Sequence, residues 1–151
     1  MLIPISQRDP KWANLKIGHS QLTIGAQGCA LSCVSMATSF FGCFKNPQEL
    51  MNFIDFTTEG LILWQTLRLP PVHFTGRYYG KQDSVIQASL NNPNQVCLIQ
   101  VTLKSGATHW LFATGKMPLV NAYLVIDPWM GYKSSTLVYN NNITGFAIYS
   151  K

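Results

Sequence analysis

Charge is scarce in this chain. Asp, Glu, Lys and Arg together make up only 11% of its 151 residues, against 47% hydrophobic ones. That balance excludes a disordered polymer and predicts a packed core. Six acidic residues face eleven Lys and Arg, a net charge of +5. The basic residues are scattered from Arg8 to Lys151 without a run or a helical stripe. Nucleic-acid binding, which wants a clustered basic face, is therefore not expected. No stretch approaches the ~18 uncharged apolar residues of a membrane-spanning helix. The opening Met1-Leu2-Ile3-Pro4-Ile5-Ser6-Gln7-Arg8 lacks the basic start and apolar run of a signal peptide, so the chain is expected to be cytoplasmic as synthesised. Repeats, low-complexity tracts and linkers are missing as well, and a single domain over residues 1–151 is expected.

Cysteine is also sparse. Cys29, Cys33, Cys43 and Cys97 are too few for a disulfide scaffold and are expected to be reduced. Cys29 and Cys33 stand one helical turn apart, but there is no second Cys-x-x-Cys or His-x-x-x-His pair to complete a zinc site. No metal and no cofactor are expected. Cys33, Cys43 and Cys97 read as structural thiols, which leaves Cys29 as the candidate for reactivity.

What is present falls into two halves. Residues 1–28 are rich in turn formers, among them Asp9-Pro10, Gly18, Gly25 and Gly28, and read as an ordered arm. Leu31, Val34, Ala37 and Phe41 then recur at three- and four-residue steps, which predicts a helix beginning at Cys29 and stopping at Gly42. Asn46-Pro47-Gln48-Glu49 carries a capping box with proline at the first helical position, and Leu50, Phe53 and Ile54 supply its buried face. A third short helix is expected around Leu61, Leu63, Trp64 and Leu67, and a fourth from Asp83 or Ser84 to Leu90. Val96–Leu103, His109–Thr114, Tyr123–Asp127, Ser135–Tyr139 and Phe146–Tyr149 are β-rich runs about ten residues apart. They predict an antiparallel meander, and the whole an α+β domain with N-terminal helices packed on a C-terminal sheet.

A thiol nucleophile needs help in losing its proton, a base, and donors for the developing oxyanion. Cys29 follows Gly28 at a helix N-terminus, where the partial positive charge favours a thiolate. Gly28 would let a substrate backbone approach, and the Cys29 N–H is a ready oxyanion donor. Three histidines are available. His19 lies in the arm, His73 follows two prolines, and His109 opens an apolar strand that would hold it rigidly. The next buried strand ends in Asp127-Pro128. If the two strands form a hairpin, His109 and Asp127 meet at one end of the sheet, and Asp127 fixes the imidazole tautomer while the other nitrogen faces Cys29.

With these residues in order, the chain resembles the C39-like branch of papain-type cysteine peptidases, in particular small stand-alone members from phage and bacterial genomes. The resemblance is carried by Ser6-Gln7-Arg8-Asp9-Pro10-Lys11-Trp12, by Thr23 to Leu31 around Gly28-Cys29, by Asn46-Pro47 with Gly60 and Trp64, by Thr108-His109-Trp110, and by Asp127-Pro128-Trp129-Met130-Gly131. It implies a papain-like fold with Cys29 as nucleophile, His109 as base and Asp127 orienting it. It also implies an oxyanion glutamine before the cysteine. Gln7 is the match, and Gln27, two residues before Cys29, is its competitor.

The expected function is hydrolysis of a peptide or cell-wall peptide amide bond through a thioester, with a peptide or protein as partner and release by a phage or bacterial route. Trp110 and Trp129 adjoin the catalytic residues and are expected, with Gly28, to contact substrate. The competing expectation is a non-enzymatic, or acyl-transferring, papain-like module that captures a host partner.

Overall fold

The computed structural model describes all 151 residues, as an α+β fold built on one large antiparallel sheet. The arm leads into a single helical turn, α1 (Ile24–Gln27), and directly into α2 (Cys29–Phe40). A further turn, α3 (Pro47–Leu50), precedes a small hairpin of β1 (Asp55–Phe56) and β2 (Ile62–Leu63). After β3 (His73–Tyr79) and α4 (Asp83–Leu90) come β4 (Gln95–Thr102), β5 (Thr108–Lys116), β6 (Tyr123–Asp127), β7 (Tyr132–Ser135) and β8 (Ile143–Ser150). No helix is long and apolar enough to cross a membrane.

The six-stranded sheet has the order β3-β8-β4-β5-β6-β7, antiparallel throughout. Only β4 to β7 form the expected meander. β8 returns across the sheet to lie between β3 and β4, so the chain's last strand is internal.

Side chains alternate between the two faces of a strand, and here both faces are covered. Val96, Leu98, Trp110, Phe112, Ala147 and Tyr149 point to one face, where they meet Leu31, Val34 and Ala37 of α2 and Ile5, Trp12, Ile17 and Ile24 of the arm. Cys97, Ile99, Leu111, Ala113, Phe146 and Ile148 point to the other, under Ile86 of α4. The arm is therefore part of the core.

α2 is buried on nearly its whole circumference from Leu31 to Ser39, more than the single apolar face predicted. Its hydroxyls make this tolerable. Thr38 and Ser39 donate back to Ser35 O and Met36 O at 2.7 and 2.6 Å, and Ser35 donates to Lys45 O at 2.6 Å. The capping box forms as predicted, with Glu49 N donating to Asn46 Oδ1 at 2.8 Å and Asn46 N to Glu49 Oε1 at 3.1 Å, although α3 lasts only one turn.

Two expected elements are corrected, and one strand was missed. The third helix is instead the β1–β2 hairpin followed by a 3₁₀ turn, Trp64–Thr66. Gly60, at φ 87°, turns the chain back, and the Thr66 hydroxyl accepts from Asp55 N and donates to Leu63 O. The segment between Gly60 and Pro70 is too short to offset the cost of nucleating a helix. The run Ser135–Tyr139 is not a strand either: β7 ends at Ser135, and Thr136–Tyr139 form a 3₁₀ turn that stops at left-handed Asn140 and Asn141. Finally, β3 was not foreseen, because this edge strand contains no fully buried residue and a bulge between Phe74 and Gly76 breaks its alternation.

Candidate active site

Cys29 is the first residue of α2, and no side chain caps the helix ahead of it. The free N–H groups of the first turn, and the positive end of the helix dipole, are therefore available to an anion at Cys29. Gly28 has a different part from the one expected. It is buried and lines neither recess beside Cys29. A Cβ there would lie 2.5 Å from Ile24 O and 2.8 Å from Ile24 Cγ2, so the missing side chain serves the tight junction between α1 and α2.

β5 and β6 pair antiparallel, with Phe112 opposite Ile126, which brings the start of β5 and the end of β6 to the same end of the sheet. His109 Nε2 donates to Asp127 Oδ1 at 2.7 Å, with both side chains largely buried, at 12% and 14% exposure. Cys29 lines the same cleft as the imidazole, close enough for its charge to act on it. With Nε2 committed to Asp127, Nδ1 is the nitrogen left for the thiol. His19 and His73 are exposed and line neither recess at Cys29.

Asp127 is held by three donors. Besides His109, the Trp129 backbone N–H donates to Oδ1 at 2.9 Å and the Tyr139 hydroxyl donates to Oδ2. Burial alone would raise the Asp127 carboxyl, but the hydrogen bonds from His109, Tyr139 and Trp129 outweigh it and hold the group below the usual carboxylate range. Burial likewise works against a charged His109. The hydrogen bond to Asp127, together with the proximity and charge of Cys29 and the charge of Asp127, prevails and raises the imidazole to about 9. His109 is thus an imidazolium at neutral pH. Cys33, one turn along α2, is fully buried, and burial together with the charges of Cys29 and Asp127 pushes its thiol well up.

Tyr139 was not singled out from the sequence. It reaches Asp127 because Thr136–Tyr139 coil into a 3₁₀ turn, and the only nearby signal was Asn140-Asn141-Asn142, a turn-forming cluster. In Tyr139→Phe the carboxylate loses one donor. The pH at which activity falls on the acid side is expected to move upward, with kcat near neutrality down by about three- to tenfold, the worth of one hydrogen bond. A pH–rate profile that superimposes on wild type would contradict this role.

The two glutamines differ. Gln7 is buried at 1% exposure, and its backbone N–H donates to Pro128 O at 2.7 Å while Nε2–H donates to Gly25 O at 3.2 Å. That leaves the second Nε2 hydrogen free. Gln27 is exposed and makes no side-chain hydrogen bond. Both line a cleft of about 360 Å³ that also includes Cys29, His109, Trp129 and Tyr139. Residues 5–8 pack on the turn after β6, where a Cβ at Gly131 would come within 3.2 Å of Ile5 C and Ser6 N. The arm therefore builds the site.

Cys29 also borders a second recess of about 330 Å³ on its other side, walled by Leu61, Trp64, Arg77, Gln100 and Trp110. Trp110 is 7% exposed and packs on Trp64 with ring centroids 4.7 Å apart. Trp129 is 43% exposed at the rim of the first cleft, with the Arg8 guanidinium 4.7 Å from its ring. The two recesses share Gln27, Cys29 and Thr108, so a groove crosses the thiol. No protein-family model matches this chain, and no curated protein matches it.

Proposed function

We propose that this chain is a papain-like cysteine hydrolase of C39-like type, opening a peptide amide bond through a thioester on Cys29. The observation that carries the reading is His109, bonded to Asp127 at 2.7 Å and lining one cleft with Cys29 at the start of a buried helix. A thiolate beside an imidazolium is the resting form such a pair favours.

Each step follows from the groups present. The Cys29 thiolate adds to the substrate carbonyl carbon, and the carbonyl oxygen becomes an oxyanion. The Cys29 N–H and the free Nε2 hydrogen of Gln7 are the donors for it, and Gln7, anchored at backbone and side chain, suits this task better than exposed Gln27, whose side chain has no such anchor. As the C–N bond breaks, His109 gives its Nδ1 proton to the leaving amine. Neutral His109 then takes a proton from water, whose oxygen attacks the thioester carbon. The acid departs, and thiolate and imidazolium are restored. Asp127 keeps Nε2 protonated and steadies the cation throughout. An amine in place of water would turn the same cycle into acyl transfer.

A peptide in extended form suits a groove open on both sides of the thiol, whether it comes from a protein or from a cell-wall crosslink. The test is an acyl-enzyme. Mixed with p-nitrophenyl acetate at mildly acidic pH, the protein is expected to release p-nitrophenolate in a burst and to carry a hydroxylamine-labile acetyl group on Cys29. Acetylation spread evenly over Cys29 and Cys43 would overturn the reading in favour of a module that only binds.

A further inference from the structure

Resting on the proposed hydrolase site, we infer that the recess beside Cys29 walled by Trp64, Trp110 and Arg77 binds a carboxylate, so that the preferred substrate carries a negative charge close to its scissile bond.

Arg77 lies in the middle of β3, and its guanidinium is sandwiched 4.3 Å from the Tyr79 ring and 4.9 Å from the Trp110 ring. It donates to Tyr78 O and, at 3.4 Å, to Gln100 Oε1. Every one of these partners is neutral. The ion pairs of the protein are Arg68–Asp55, Lys81–Asp83 and His109–Asp127, and Arg77 belongs to none of them. Apart from Cys29 it is the only ionisable residue among those lining the recess, which contains no carboxylate. A guanidinium carries five N–H donors, and only two hydrogen bonds are made here.

Half-burying a cation without a counter-ion costs free energy that packing on aromatic rings offsets only in part. Stacking on Trp110 explains why an arginine can lie there. It does not explain why a guanidinium with unused donors lines a recess that also reaches Cys29 and holds no carboxylate. The position is built with some care. Gly145 of β8 lies under the guanidinium, where a Cβ would come within 2.5 Å of Arg77 Nη1, so any other residue would displace the cation. A planar fork held this way matches the two oxygens of a carboxylate.

Two sources could supply that group: an acidic side chain, or the terminal carboxylate of a peptide cleaved near its end. Chloroacetyl reagents separate them without requiring any amide to be cut, because the Cys29 sulfur displaces chloride and forms a thioether. Chloroacetyl-Asp-amide offers a side-chain carboxylate, chloroacetyl-Gly a terminal one, and chloroacetyl-Asn-amide neither. Rates at Cys29 are read by mass spectrometry near pH ~10, where the His109 imidazolium is largely discharged and an unassisted thiol also reacts.

Wild type is expected to prefer at least one carboxylate reagent over the neutral one by about tenfold or more, the scale of a charge-assisted hydrogen-bond pair. In Arg77→Gln the ratio should fall to near one, in Arg77→Lys it should be intermediate, and in Lys133→Ala, which removes an exposed cation elsewhere, it should stay at the wild-type value. A wild-type ratio near one for both carboxylate reagents, or a preference that survives in Arg77→Gln, overturns the inference. Failure of the hydrolase reading looks different: with the neutral reagent near neutral pH, Cys29 would react no faster than Cys43, whatever the ratio.

Discussion

Cys29→Ser is expected to fold as wild type and to lose amide turnover by about 10⁴-fold or more. The side chain is only partly exposed, and oxygen is smaller than sulfur, so nothing in the packing of α2 is crowded by the change. A hydroxyl, however, ionises far less readily than a thiol. A helix terminus and a neighbouring imidazolium can favour a thiolate, but they fall far short of what an alkoxide needs. The check is kcat/KM on a cleaved peptide, beside a thermal unfolding midpoint within about 2 °C of wild type. Turnover within tenfold of wild type would remove Cys29 from the mechanism.

His109→Ala is expected to lower kcat by about 10³-fold, within the range for loss of a general acid–base. Here the amine would have to leave without a proton, and water would have to attack without a base. The same variant has a signature in stability. In the folded protein His109 is raised from the ordinary 6.5 to about 9, so between these values the native state holds a proton that the unfolded chain has released. The stabilisation this brings is fully present below pH 6.5 and is lost as pH rises through about 9. For a side chain 12% exposed it amounts to at most ~3 kcal/mol, or about 5–10 °C in the unfolding midpoint. A thiolate at Cys29 releases a proton over much of the same range and offsets this in the midpoint, so the charge is read on the imidazole itself, whose NMR titration midpoint should lie near 9 and whose signal His109→Ala removes. Titration of His109 near the ordinary 6.5 would mean that the imidazole is not charged as described.

Local signals were read well where one segment decides its own conformation. β6 spans Tyr123–Asp127 and α4 spans Asp83–Leu90, at the limits the turn residues marked. The Asn46–Glu49 cap needs only four residues, and it forms. The meeting of His109 with Asp127 was legible for a related reason, since two strands joined by a short loop pair as neighbours and their outer ends coincide. What required distant partners was not legible. β8 pairs with both β3 and β4, and no pattern within Ile143–Ser150 says that it will lie between them. The exposed Leu137 and Val138 read as a strand, yet the turn that contains them carries Tyr139 to Asp127. The same holds for the recess at Arg77, whose walls come from the β1–β2 hairpin, β3, β4 and β5. The α+β class followed from the order of helical and strand-like runs, whereas the strand order depended on contacts that local periodicity does not encode.

The central claim is that Cys29 and His109 form a working pair, and the most direct test is the pH dependence of alkylation by iodoacetamide. Each cysteine is followed by mass spectrometry in wild type and in His109→Ala. Cys43, half-buried and remote from the imidazole, is the internal reference, because Cys33 and Cys97 are sealed in the core. Cys29 is expected to be labelled fastest of the four thiols well below the ordinary thiol value of ~8.5, and His109→Ala to abolish this lead. Labelling of Cys29 that merely tracks Cys43 across the pH range, with or without His109, would contradict it.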